Sequence, residues 1–317
     1  MFISVNTERN RASPLKLLIM NRLRIVTYNI DGLPEVLDLK ELPWYLKPIC
    51  WIYRLFKGTT LIKINDNKDV TSRIKSISEY LLKLNADIIG VQENFNYNNE
   101  LISNLQNKYI FGNYRGGIDF SNVRWIPYPK FKTDGLTFMS KISFDEADIV
   151  KWNDNCGYIS SANDLLIEKG FRLEVVRIAD DLYLDVYLLH MDADFCNIEC
   201  SDSEVRGLQL KQLVDYIIKR DSYNPIIVMG DTNSSPYYSW DIKNINIELL
   251  HRIEHVSTLH CEEAIPSNCK DVDRIFFINN DKSKYKLELE DVRYDTIILS
   301  DHRPLIATFK WDSGATG

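Results

Sequence analysis

Apolar residues fall along this chain in two rhythms. A period of two, or a short unbroken apolar run, predicts strands at residues 24–28, 86–93, 134–141, 164–178, 182–190, 225–233, 272–279 and 296–311. Lys169-Gly170 predicts a turn within the 164–178 stretch, and Ser300, Asp301 and His302 interrupt the last. A helical spacing marks two other segments. Ile74, Ile77, Leu81 and Leu84 line one face of a helix that Asp69 or Thr71 can cap, and residues 203–220 read as a second helix. Many strands, few helices and no regular strand–helix alternation predict a mixed α/β sandwich in preference to a doubly wound parallel sheet. No internal repeat and no low-complexity linker divides the chain.

The strand ends carry the chemistry. In RIVTYNIDGL, residues 24–33, the strand pattern runs into Asn29 and Asp31. Taken alone this is turn composition, since Asn, Asp and Gly bond their own backbone and tolerate turn geometry. The other endings are Glu93, His190, the pair Asp231 and Asn233, and the pair Asp301 and His302. That repeated selection predicts convergence at one edge of a sheet, where strands can hold a site rigidly. Carboxylates and amides without thiolates suit a hard divalent cation such as Mg²⁺. Histidines beside acids supply groups that move a proton near neutral pH or donate to a phosphate oxygen. His251, His255 and His260 lie outside these strand ends and read as surface or structural residues.

Composition narrows the partners. A formal charge of -7 and a pI near 5.4 exclude a chain that coats nucleic-acid backbone by bulk positive charge. They leave a nuclease open, because a bound cation supplies positive charge locally. The six cysteines, Cys50, Cys156, Cys196, Cys200, Cys261 and Cys269, have no metal-finger spacing. They read as scattered thiols, with Cys196/Cys200 and Cys261/Cys269 as the pairs whose redox state stays open. The first residues lack a signal-peptide pattern, and no apolar run reaches the roughly 18–20 residues of a membrane span, so the expectation is a soluble intracellular protein. Residues 42–63 mix Trp44, Tyr45, Trp51, Tyr53 and Phe56 with Lys47, Arg54 and Lys57. That composition suits a membrane interface, a stacking surface for bases, or a packed insertion with snorkelling cations.

The motifs YNIDGL, GVQE, LLH, GDTN, VDRIFF and SDHRPL occur in the order found in the metal-dependent endonuclease/exonuclease/phosphatase superfamily, which the chain resembles from residue 23 to 311. Residues 1–22 would then be an N-terminal extension and 312–317 a C-terminal tail. The resemblance implies a four-layer α/β sandwich, two central mixed β-sheets flanked by helices, with a phosphoester-hydrolysing site at one end. It implies Glu93 as the main ligand of Mg²⁺, or of Mn²⁺ in its place, helped by Asn29, Asp31 and Asp301. His302 would orient or deprotonate the attacking water, with Asp273 holding its ring. Asp231 would position the nucleophile or serve the leaving group, Asn233 would hold a phosphate oxygen, and His190 would stabilise charge at phosphorus. Substrate clues diverge. YNIDGLP resembles abasic endonucleases and tyrosyl-DNA phosphodiesterases, whereas NDLLIEKGF, with Lys169, resembles sphingomyelinases. HMDAD followed by the 203–213 segment resembles both of the latter groups. Lys169 is thus a phosphate contact or a turn lysine, and Arg206 a brace for the site or a solvated charge. Nucleic acid is the first expected substrate and a phospholipid membrane surface the alternative, with no obligate protein partner readable.

Overall fold

The computed structural model describes residues 22–32, 70–95, 97–113, 118–119, 130–131, 133–154, 168–192, 202–233, 259–263 and 272–313. The aromatic segment 42–63, His251, His255, Cys50, Cys156, Cys196, Cys200 and Cys269 lie outside them.

Two mixed sheets of six strands each form the centre. The first contains β1 (Arg22–Gly32), β2 (Ile88–Asn94), β3 (Ile110–Phe111), β6 (Thr137–Ser140), β13 (Tyr285–Tyr294) and β14 (Leu305–Ser313), in the order β13-β14-β1-β2-β6-β3. The second contains β7 (Phe144–Lys151), β8 (Gly170–Ala179), β9 (Leu182–His190), β10 (Ile226–Asp231), β11 (Leu259–Glu263) and β12 (Asp273–Asn280), in the order β11-β12-β10-β9-β8-β7. A small ribbon pairs β4 (Ile118–Asp119) with β5 (Lys130–Phe131). Each large sheet holds one parallel pair, β1 with β2 and β9 with β10. Each pair is joined by a crossover that contains a helix, α1 (Val70–Leu84) in the first and α3 (Asp202–Arg220) in the second. The short α2 (Asn98–Leu105) follows β2.

Three apolar clusters correspond to the three interfaces of a four-layer sandwich. Between the sheets, Ile25, Ile88, Leu188, Met229, Ile275, Phe277, Ala307 and Phe309 interdigitate. Outside the first sheet, Val26, Tyr28, Ile89 and Val91 meet Ile74, Ile77 and Leu81 of α1 and Leu101 and Leu105 of α2. Outside the second, Tyr187, Leu189 and Val228 meet Leu210, Leu213, Val214 and Ile217 of α3. The period of two therefore sorts each strand into an inner and an outer row.

Several sequence expectations shift. The apolar stretch at 296–311 is a loop followed by β14, which runs two residues beyond the expected boundary at 311. Gly170 opens β8, and Lys169 before it is buried, not exposed on a turn. α2, β3, β4, β5, β7, β11 and β13 carry weak or short patterns and are found only in the structure.

Gly90 allows the sheets to approach, because a Cβ there would lie 2.5 Å from Leu188 Cδ1 and 2.7 Å from Met229 Cε. Overpacking this interface with Gly90→Ala should lower stability by about 1–3 kcal/mol in urea denaturation. An unchanged midpoint would show that Leu188 and Met229 re-pack freely.

Candidate active site

The inner rows end in polar residues at one edge of the sandwich. On β1, Ile25 and Thr27 precede Asn29; on β9, Leu184, Val186 and Leu188 precede His190; on β10, Ile227 and Met229 precede Asp231. β12 is antiparallel and begins its inner row with Asp273, paired with Asp231, which is paired in turn with His190. Strand register alone thus places His190, Asp231 and Asp273 side by side, facing Asn29 across the sheets. All four are essentially inaccessible, at 0–1 %.

Glu93 reaches this edge differently. Alternation puts Gln92 on the inner face with Gly90 and would send Glu93 outward. Its backbone is left-handed, with φ 57°, and the turn brings its carboxylate to Asn29. A non-glycine residue in this region costs on the order of 1–3 kcal/mol and persists where neighbouring contacts enforce it. Asn94 supplies such contacts by donating to Thr137 Oγ1 at 2.7 Å and accepting from the Tyr97 N–H. Asp31 (φ 48°) and Asn233 (φ 51°) are left-handed as well, a conformation their side chains tolerate better.

Asn29 is the hub. Its Nδ2 donates to Glu93 Oε1 and to Asp231 Oδ2, each at 2.9 Å, and its Oδ1 accepts from the Asp31 N–H at 3.0 Å. His302 Nδ1 pairs with Asp273 Oδ2 at 2.8 Å, while Nε2 faces Asp231 Oδ2 at 3.8 Å. His190 Nε2 lies 3.6 Å from Asp231 Oδ2 and 3.9 Å from Glu93 Oε1. The Asn233 N–H donates to Asp231 Oδ1, and its Nδ2 donates to Met191 O. Asp301 sits on the adjoining loop, where Ser300 Oγ donates to Asn29 O at 2.8 Å and contacts Asp301 Oδ1 at 3.1 Å. Every site residue expected from sequence is therefore at this one edge.

Charge is unevenly held. Burial pushes Glu93 up to about 7, against the opposing pull of Asn29 and Lys169. Asp31 rises to about 6, first by burial and then by the charge of Asp301. Burial would also raise Asp231, but His302 and His190 hold its carboxyl below the usual range. Burial opposes a charged His302, yet Asp273 overrides it and lifts the imidazole to about 11. His190 is driven well below its ordinary value by burial and by Lys169.

Crowded, desolvated carboxylates with oxygen and imidazole donors are what a hard divalent cation relieves, so the residues present fit one. Glu93, His190 and Asp231 offer ligand atoms within 4.8 Å of one another, as do Asp231, Asp273 and His302. Glu93 and Asp31, both raised by burial, Glu93 further by the charge of Asp31 and Asp31 by that of Asp301, are carboxylates whose charge a cation would relieve.

Support from neighbouring residues was only partly foreseen. Lys169 donates to Met191 O at 3.1 Å, so its cation belongs to the site. Arg206 is buried and donates to Asp192 O, and Gln209 donates to Asp192 Oδ1, so Arg206 braces the segment after His190. Trp152 Nε1 donates to His190 O and Tyr294 Oη to Asp273 O. Nothing in the sequence around Trp152 or Tyr294 points to these backbone contacts.

Glu93 gives a stability prediction for chelator-treated protein. A carboxyl with a raised folded value is neutral in both states below its ordinary value of 4.5. Above that it ionises first in the unfolded chain, so wild-type stability falls between pH 4.5 and about 7 and stays lower beyond. Glu93→Gln lacks this loss and should be more stable by about 1–2 kcal/mol at pH 8, the side-chain tip being 21 % exposed. The difference should vanish at pH 4, as read by urea melts at both pH values.

Solved structures share this architecture at low identity. SmcL aligns with a TM-score of 0.59 at 14 % identity, covering 91 % of this chain and 99 % of that one. Sphingomyelinase C from Streptomyces griseocarneus aligns with a TM-score of 0.57 at 15 % identity, covering 90 % and 99 %. A D. rerio TDP2 humanized by 14 mutations aligns with a TM-score of 0.56 at 14 % identity, covering 92 % and 99 %. No curated protein sequence matches the chain. The family described as Endonuclease/Exonuclease/phosphatase matches residues 26–302, from inside β1 to His302, and so spans every residue of the edge just described. With that span and this constellation, the chain belongs to the endonuclease/exonuclease/phosphatase family and is a hydrolase of phosphoric esters.

Proposed function

We propose that the chain is a Mg²⁺-dependent phosphodiester hydrolase acting on nucleic acid, with blocked DNA ends as the leading substrate. The observation that carries the hydrolase reading is the Asn29 amide, which holds Glu93 of one sheet and Asp231 of the other in a single constellation with both histidines, while the preference for nucleic acid rests on the resemblance of YNIDGLP to tyrosyl-DNA phosphodiesterases. Glu93, with Asp31 and Asp301, would hold the cation, which when bound supplies Lewis-acid neutralisation of phosphate charge. Asn29 orients the two carboxylates by its amide hydrogens and keeps one lone pair free on its oxygen.

The side chains divide the remaining work. His302 Nε2 and Asp231 Oδ2 are too far apart for a direct hydrogen bond and suited to sharing the attacking water. Asp231 accepts the proton of that water as its oxygen bonds to phosphorus, and the ester oxygen leaves on the opposite side. Asp273 fixes the His302 ring. His190 lies between Asp231 and Glu93, where its Nε2 meets charge developing on the phosphoryl oxygens. Asn233 keeps one amide hydrogen for a phosphate oxygen.

One fold relative, a D. rerio TDP2, is solved with a single-strand DNA product, and a beta toxin from Staphylococcus aureus with bound magnesium ions. A sphingomyelinase-like phospholipid reading is favoured by one observation, the buried Lys169, whose Lys-Gly segment resembles that group.

Product release should be measured with Mg²⁺ and with chelator from single- and double-stranded DNA, a 5′-tyrosyl oligonucleotide and sphingomyelin vesicles. Metal-dependent cleavage of either DNA or the tyrosyl end supports the nucleic-acid reading. Cleavage of sphingomyelin alone replaces it with the second, and no metal-dependent release from any of them overturns both. Glu93→Gln and His302→Ala should each lower kcat by about 10²–10⁴ while the chain stays folded by circular dichroism.

A further inference from the structure

The pairing of β1 with β2 is regular up to Asn29 opposite Gln92 and resumes at Gly32 opposite Asn94. The bulge removes Ile30 and Asp31 from the ladder and bends β1 where Asp31 must turn toward the site. A bulge leaves backbone acceptors to be satisfied elsewhere. Both are taken by one side chain. Arg73, in the first turn of α1, donates from Nη1 to Ile30 O at 2.8 Å and from Nη2 to Asp31 O at 2.6 Å. Its Nη1 also reaches Leu299 O at 3.3 Å, on the loop that carries Ser300, Asp301 and His302. The Asp31 carboxylate lies 3.9 Å from Nη1.

We infer that Arg73 is a positioning residue for catalysis, clamping the bulge that presents Asp31 to the loop that presents Asp301 and His302. The planar guanidinium suits this task, since two of its nitrogens bond three carbonyls that point in fixed directions. A lysine ammonium at the same position is one point charge on a flexible stem and cannot span both segments. The loop has a second anchor in the Ser300 hydroxyl on Asn29 O. Loss of Arg73 therefore loosens the relation between the two acidic segments without releasing the loop altogether. The inference rests on the cation-dependent reading of the site for its catalytic consequence, while the clamp itself is made by the chain's own atoms.

Two measurements on Arg73→Lys and Arg73→Gln test it. Hydrogen exchange of chelator-treated protein should show faster exchange confined to residues 29–32 and 295–302, with β9, β10 and β12 as protected as in wild type. The Mg²⁺ concentration for half-maximal thermal stabilisation and for half-maximal turnover should rise about tenfold or more. The substrate KM at saturating Mg²⁺ should stay unchanged, with Lys less impaired than Gln. Wild-type exchange in both segments would overturn the inference. So would a uniform rise across all strands with an unchanged Mg²⁺ midpoint, which marks a residue that only supports the fold. If wild-type protein shows neither turnover nor a Mg²⁺-induced shift, the phosphodiesterase reading fails, and the exchange experiment still decides whether Arg73 clamps the two segments.

Discussion

One side-chain amide joins the two halves of this molecule at the edge where their polar strand ends meet. Asn29 projects from the first sheet and places both of its amide hydrogens on carboxylates, Glu93 from its own sheet and Asp231 from the other. Without those donors, two acidic groups would face each other in a desolvated cleft, where like charges repel strongly and water cannot compensate. The amide is neutral, so it relieves the pair without cancelling its charge. The site keeps the negative potential a divalent cation needs, and His190 and His302 can lie beside Asp231 without forming tight ion pairs. The packing of Leu188 and Met229 around Gly90 sets the sheet separation at which one asparagine can span the gap.

The fold was legible where pattern was strong. The 182–190 strand, the two crossover helices and the polar strand ends all follow from periodicity, because a half-buried strand or helix has to keep its apolar residues in register with a neighbour. α2, β3 and the β4–β5 ribbon were not legible, being too short to show a period. β13 alternates and faces solvent on one side, but its many charges mask the rhythm. The 296–311 stretch misled because Ile297 and Leu299 pack against the outer cluster from a loop, imitating a strand in composition.

For the site, the residue types at the strand ends pointed to Asn29, Glu93, His190, Asp231 and His302, whereas Asp273, which opens its strand, was named only through the family resemblance. Alternation even accounts for four of them, since their rows point between the sheets. It fails for Glu93, whose left-handed backbone reverses the direction its position in the strand would give. Trp152 escaped, and Lys169 and Arg206 stayed open between two readings, for a different reason. Their roles depend on backbone carbonyls supplied by distant segments, and one-dimensional sequence carries no sign of where a carbonyl points.

Strand order has a consequence for how the protein is made. In the first sheet, β1 lies between β14 and β2, so the earliest described strand waits for the latest before its second edge is covered. Throughout synthesis β1 presents an unpaired row of backbone donors and acceptors, a hazard for non-native pairing that a nascent chain meets with chaperones or with speed. The same arrangement withholds Asp301 and His302 until almost all of the described chain has emerged from the ribosome. Asp301 and His302 thus join the edge that carries Asn29, Glu93 and Asp231 only as the sheet closes.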